Sequence, residues 1–439
     1  MPSDAPAALG LSLPLWSVVP FAGLLLSIAL FPLFAPALWA RHYAKVCLAF
    51  GVPVAVFFLL RDPRELLHTA LEYASFLILL ASLFTISGGI LLRGTLRGSA
   101  GVNSAILAVG AVLANVFGTT GASMLLIRPL LRANAHRRRV AHVVVFFIFV
   151  VANIGGSLSP IGDPPLFLGY LRGVPFFWTL RAMGLLWASA CALVIGVFYL
   201  VDRRALALER MAAEATESGA SMPASALGHP WPSEVVAGAA EARVPLSIEG
   251  KINLPLLAVV IGAVFLPTPW REMAMAAAAG VSVWKTPAKV REENEFTWYP
   301  IEEVAVLFAG IFATMIPALL ILKARGAELE VVSPAHFFWA TGVLSSFLDN
   351  APTYLTFFSL AQGMGGAQTV AGVSAPLLQA ISAGAVFMGA NSYIGNAPNF
   401  MVKAIAEEAG VRMPSFFGYM AWSCVVLLPI FFLLTLLFF

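Results

Sequence analysis

A nine-residue pattern occurs twice in this chain, each time inside a long apolar stretch. Residues 159–167 read S-P-I-G-D-P-P-L-F and residues 392–400 read S-Y-I-G-N-A-P-N-F. Both fit Ser-x-Ile-Gly-[Asp/Asn]-x-Pro-x-Phe, and each is followed by a closing Gly-Val, at Gly173-Val174 and Gly410-Val411. Gly, Pro and an acid or amide within an apolar span are unfavourable in lipid unless the helix is broken there by design. Such breaks at corresponding places in two halves point to a binding site built from discontinuous helices.

That argument requires a membrane, and composition supplies it. Hydrophobic residues make up 60% of the 439 residues and charged residues 11%, where soluble domains carry about a quarter. The net charge of +3 is small, and no basic patch interleaved with aromatics points to nucleic acid. Cys47, Cys191 and Cys424 lie in apolar segments without metal-ligand or disulfide spacing. The first apolar run lacks a basic stretch before it, so it reads as a retained span rather than a signal peptide.

Apolar runs predict spans at 14–35, 43–60, 73–92, 140–171 and 175–201, then at 252–268, 270–284, 300–322, 372–405 and 415–439. Between the third and fourth span of each set lies a further apolar piece, 103–131 and 335–362, interrupted near its middle. Both read as re-entrant hairpins. With the N- and C-termini outside, cytoplasmic loops collect Arg93, Arg97, Arg132, Arg137, Arg138, Arg139, Arg203, Arg204, Lys285 and Lys289, and the outer loops hold far fewer basic residues. Five spans per half is an odd number, so the second half must be inverted. The expected fold is an all-α polytopic membrane protein: an inverted repeat of two five-span halves, each with a re-entrant hairpin and a broken helix. Residues 14–201 form the first repeat, 202–250 a cytoplasmic linker that could hold a surface helix near 203–215, and 251–439 the second repeat.

The hairpins align as well: V-L-A-N-V-F-G-T-T-G-A-S (112–123) lies against V-L-S-S-F-L-D-N-A-P-T-Y (343–354). Asp163 and Asp349 are the two acids in the four irregular segments, and symmetry duplicates neither: Asp163 pairs with Asn396, and Asp349 with Gly118. A carboxylate near mid-membrane is a functional candidate by default and can exchange a proton for a cation such as sodium. Asp163, Asp349, Asn350 and Asn396 are therefore the candidate cation and proton site. For Asp163 the alternative is to cap the helix ahead of Pro164. Asn115, Thr119, Thr120, Ser159, Thr353, Asn391, Ser392 and Asn399 supply neutral groups for substrate or ion; capping of half-helices accounts for them equally well. Asn153 and Ser157, just upstream of the first break, carry the same two readings. Gly162, Pro165, Gly395 and Pro398 read as structural, permitting the breaks. Arg128 reads as snorkelling to the interface, or else as a contact for an anionic substrate, and Glu72 and Glu303, at the starts of the third spans, as interfacial residues or else part of a proton path.

At N-I-G-G-S-L-S-P-I-G-D-P-P-L-F-L-G (153–169), S-S-F-L-D-N-A-P-T-Y (345–354) and G-A-N-S-Y-I-G-N-A-P-N-F-M (389–401) the chain resembles the ion transporter superfamily. It is similar to sodium/proton antiporters (NhaD-like) and to citrate transporters (CitMHS-like), over nearly all of its length apart from the linker. The resemblance implies an inverted-repeat scaffold, an elevator-like motion and a homodimer. Related dicarboxylate carriers have Ser-Asn-Thr at both hairpin tips, and the tips here depart from that pattern.

The leading expectation is a secondary transporter of the bacterial inner membrane exchanging sodium for protons, with Na+ and H+ as the coupling or transported ions and no other cofactor. Its rival is a sodium- or proton-coupled carrier of citrate or another dicarboxylate. An enzyme is not expected. Ile161-Gly162-Asp163 falls short of the Gly-x-Gly-Asp of intramembrane aspartic proteases because Pro160 replaces the first Gly, and neither His-Glu-x-x-His nor Gly-x-Ser-x-Gly occurs.

Overall fold

The computed structural model describes residues 5–94, 96–217, 245, 247–328, 333–365 and 369–439. Uninterrupted apolar runs become helices bounded by Pro and by polar caps: α1 (Ala5–Ser12), α2 (Val19–Phe34), α3 (Pro36–Arg61) and α4 (Pro63–Ser87). Pro36 and Pro63 begin their helices, where the missing N–H has no intrahelical partner to lose. Asp62 caps α4 by accepting from the backbone N–H groups of Arg64 and Glu65. After strand β1 (Leu91–Arg93) comes α5 (Ala100–Ala133), which is two helical arms joined at Gly118. Gly118 has φ +74° and ψ 158°, a conformation that only glycine adopts freely. The arms fold back on each other. The Gly98 N–H donates to the Ala133 carbonyl at 2.7 Å, and Asn103 and Asn134 exchange amide bonds of 3.0 and 2.8 Å.

Next, α6 (Ala141–Val150) unwinds, and the chain re-enters a helix at α7 (Pro164–Leu171) before the long α8 (Trp178–Glu217). Asp202, placed at the edge of the expected linker, is fully buried on α8. It accepts from Asn103 and pairs with Arg137 at 2.7 Å and His142 at 2.8 Å. The helix expected near 203–215 is thus the continuation of a span. Residues 218–244 and 246 of the linker reading lie outside the described residues. At its end β2 (Ser247–Glu249) pairs antiparallel with β1, Leu92 opposite Ile248.

The second half runs α9 (Asn253–Ala263), α10 (Trp270–Lys285), α11 (Ala288–Glu293) and α12 (Tyr299–Arg325), then α13 (Pro334–Ser345) and α14 (Asn350–Met364). The last two turn back on one another, and the Phe337 and Phe357 rings meet at 6.1 Å. A two-stranded turn, β3 (Thr369–Val370) with β4 (Val373–Ser374), leads to α15 (Ala375–Met388), α16 (Ala397–Glu408) and α17 (Phe416–Phe438).

Eight helical segments among the described residues are long and apolar enough to cross a membrane, which makes this an all-helical polytopic membrane protein. One of the eight, α5, is folded at Gly118, so its arms reach only about 27 and 23 Å against a hydrocarbon core of about 30 Å. The expected spans 252–268 and 270–284 are short helices: α9 has 11 residues and α10 has 16, or about 17 and 24 Å. Helices α1–α4 pack with α9–α12, and the broken and folded-back elements α5–α8 pack with α13–α17. The two groups meet where α4 and α12 lie against α5, α7 and α14.

Candidate functional site

The two breaks are built from equivalent hydrogen bonds. Asn115 Nδ2 donates to the carbonyls of Ala111 (2.9 Å) and Gly155 (2.7 Å), and Asn115 Oδ1 accepts from the Leu158 N–H at 2.8 Å. At the aligned position of the other half, Ser346 Oγ lies 2.8 and 3.2 Å from the carbonyls of Gly342 and Met388, and accepts from Asn391 Nδ2 at 2.9 Å. The Ser159 hydroxyl donates to the Asn115 carbonyl and accepts from the Gly162 N–H. The Ser392 hydroxyl donates to the Ser346 carbonyl and accepts from the Ile394 N–H. Asp163 (φ −145°, ψ 142°) and Asn396 (φ −154°, ψ 137°) then hold matching extended conformations before their short helices. Pro165 and Pro398 sit in the first turns of α7 and α16.

The shared glycines have a packing reason. A Cβ on Gly162 would run into the Gly156 carbonyl, and one on Gly395 into the Gly389 and Ser345 carbonyls at 2.5 and 2.7 Å. Each break therefore lets two stretches of backbone pass in direct contact, which any larger residue forbids.

Asp163 is 1% exposed and stands where these segments converge. Its side chain makes no capping bond to α7. Its Oδ1 accepts from Thr119 Oγ1 at 2.9 Å and Asn396 Nδ2 at 3.2 Å, and its Oδ2 from Asn350 Nδ2 at 2.5 Å. One carboxylate thus ties together the first hairpin tip, the second hairpin tip and the second break. The Thr119 N–H also donates to the Gly162 carbonyl at 2.8 Å. Asn396 reaches on to the Ala152 carbonyl and Asn153 Oδ1, and Asn153 Nδ2 donates to Asn399 Oδ1 at 2.7 Å. Asn399 in turn donates to the carbonyls of Gly389 and Ser392. A chain of amides therefore crosses between the breaks.

The other candidates divide. Asp349 is half-buried and accepts from the Ala351 N–H at 3.0 Å, capping α14, while Thr353 donates to the Asp349 carbonyl at 2.9 Å. Thr120 is half-buried beside Thr119. Asn115, Ser159, Ser392 and Asn399 shape the breaks. Asn350 Oδ1 and Asn391 Oδ1 are buried acceptors that no donor among the described residues reaches.

Two features went unread in the sequence. One is the buried Asn103–Asn134–Arg137–His142–Asp202 cluster at the open end of the first hairpin. Its signal was Asn and Asp inside apolar runs. The other is the pairing of Arg172 with Glu72 at 2.9 Å. Arg128 does not snorkel freely: it bonds Glu295 at 2.5 Å.

The helix starts around Asp163 share an electrostatic sense. The second arm of α5 begins at Thr119, α7 follows Asp163, α14 begins at Asn350 and α16 follows Asn396. Three of these segments donate to the Asp163 carboxylate and Asp163 itself precedes α7, so four helix N-termini gather at one place. Each carries a partial charge of roughly +0.5, and among the described residues no basic side chain is bonded to Asp163.

No curated protein matches the chain. The model of one family, CitMHS_2, described as "Putative citrate transport", matches residues 10–439. The similarity therefore lies on the citrate-transporter side of the sequence resemblance, and nothing in the comparison carries its NhaD-like side. With the match covering nearly the whole length, including both breaks and both hairpins, the chain belongs to this citrate-transport family.

Proposed function

We propose that this protein is a secondary active carrier that moves citrate or a related di- or tricarboxylate together with sodium or protons. The observation that carries the reading is the convergence of four helix N-termini on a neutral amide and hydroxyl site, in a chain whose family is described by citrate transport. Their summed partial charge of about +2 favours an anion there. Asp163 opposes it, and with no Lys or Arg among the described residues bonded to Asp163 the anion needs a cation or proton as companion. The acceptor Asn350 Oδ1, one amide away from the carboxylate, supports a bound cation at that point. The family match thus moves sodium/proton antiport, the first expectation from the sequence, behind the citrate reading.

The equivalent bonds in the two breaks support an inverted repeat of 14–201 and 251–439, joined by a cytoplasmic 202–250. Counting the short α9 and α10 both as spans or neither leaves the second half with an odd number of spans. Assembly as a homodimer in the inner membrane, with both termini outside, belongs to the same proposal.

The test is uptake of radiolabelled citrate into vesicles carrying the purified protein, under an imposed sodium or proton gradient. Gradient-dependent accumulation is expected. Absent citrate uptake together with sodium-driven proton flux would overturn the proposal in favour of antiport.

A further inference from the structure

Two ion pairs join the helical groups, and each sits one short helix away from Asp163. On the first, Arg172 at the end of α7 forms a two-pronged bond to Glu72 of α4, 2.9 Å from Nη2 and 3.2 Å from Nε, and its Nη1 lies 3.4 Å from Ser359 of α14. On the second, Arg128 in the returning arm of α5 bonds Glu295 at 2.5 Å. In both, the arginine belongs to the group with the breaks and the glutamate to the group of α1–α4 and α9–α12.

The levers match. Asp163 and Arg172 bracket α7, and Thr119, which donates to Asp163, stands nine residues before Arg128 on one helical arm. Each lever is about 13 Å long. The pairs also lie well apart along α4. Glu72 is the tenth of its 25 residues, whereas Asn294, next to Glu295, donates to the carbonyls of Gly88 (3.0 Å) and Ile90 (2.9 Å) just past its end. Sixteen residues from Glu72 to Gly88 span about 24 Å. Glu295 is itself held at φ +48°, at the end of α11, where glycine would sit without strain. Its side chain is kept at the expense of its backbone.

We propose that Arg172–Glu72 and Arg128–Glu295 are paired latches that hold the Asp163 hub closed, and that both release when the group with the breaks moves along α4. A slide of a few ångströms separates both pairs, and the rigid levers make their state depend on what Asp163 binds. Arg172 and Arg128 are positioning residues in this scheme. It rests on the carrier reading only in assuming two accessible states.

The test is the rate at which a membrane-impermeant thiol reagent modifies a cysteine at Thr120, in a protein lacking the three native cysteines. Labelling needs no substrate, so its outcome is independent of whether citrate is carried. Arg172→Gln and Arg128→Gln should each raise the rate at least about fivefold. The charge-swapped pairs Glu72→Arg/Arg172→Glu and Glu295→Arg/Arg128→Glu should bring it back. Lys403→Gln, which removes a pair internal to α16, should leave it unchanged. Folded variants with an unaltered rate, or an equal rise with Lys403→Gln, would overturn the latches.

Discussion

At the scale of the residue, the distinction that matters is between the two acids. The sequence offered Asp163 either as a cap for α7 or as a site group, and its side chain leaves the helix alone to collect three donors from other segments. Asp349 does the reverse and caps its own helix. Replacing Asp349 by Ala should therefore cost about 1 kcal/mol, as for other caps, readable as a small drop in the thermal midpoint with uptake retained. The shared glycines make a sharper prediction. Gly395→Ala pushes a methyl against two carbonyls, so a loss of roughly 1–3 kcal/mol is expected; an unchanged thermal midpoint would disprove the close-approach argument. Buried charge gives a third. Asp202→Ala takes from Arg137 and His142 their common acceptor, while Arg137 keeps Glu209 at 3.4 Å, so a loss of up to about 3 kcal/mol is expected, the low end for breaking a buried pair. Differential scanning fluorimetry of the purified protein in detergent would measure it.

At the scale of the element, most of the fold was legible because lipid makes backbone rules strict. A run such as V-V-V-F-F-I-F-V can only be a helix, and Gly118, Gly162 and Gly395 mark where it must stop. Folded-back helices and unwound segments occur at 100–133, 334–364, 151–163 and 389–396, close to the interruptions read from the sequence. Other features were out of reach for stated reasons. Residues 202–217 are rich in Ala, Leu, Arg and Glu, good helix formers whose polarity reads equally well as a linker, and only the burial of Asp202 shows the helix running on. The bond from Asn350 to Asp163 spans 187 residues and has no local signature. Neither has Arg172–Glu72, because an arginine at a helix end looks the same whether or not a carboxylate waits on the facing helix. Gly118 separates the hairpins in a testable way. Its φ of +74° contrasts with −55° at the aligned Asp349. Gly118→Ala should cost about 1–3 kcal/mol and disturb the Thr119–Asp163 bond next to it, which would show as reduced uptake with a lowered thermal midpoint.

At the scale of the whole molecule, the helices sort into a group of unbroken elements and a group that carries every break, and the polar interior of the second is organised around Asp163. In the proposed function, four helix N-termini and one carboxylate suit an anion in the company of a positive ion, as a coupled citrate carrier requires. Counterflow isolates that claim from any question of driving force: vesicles loaded with unlabelled citrate, with sodium and pH equal on both sides, are diluted into labelled citrate and the transient accumulation is recorded. An overshoot is expected for the wild-type protein, and one at least about tenfold smaller for Asp163→Asn of equal thermal stability. An overshoot of wild-type size in Asp163→Asn would contradict it.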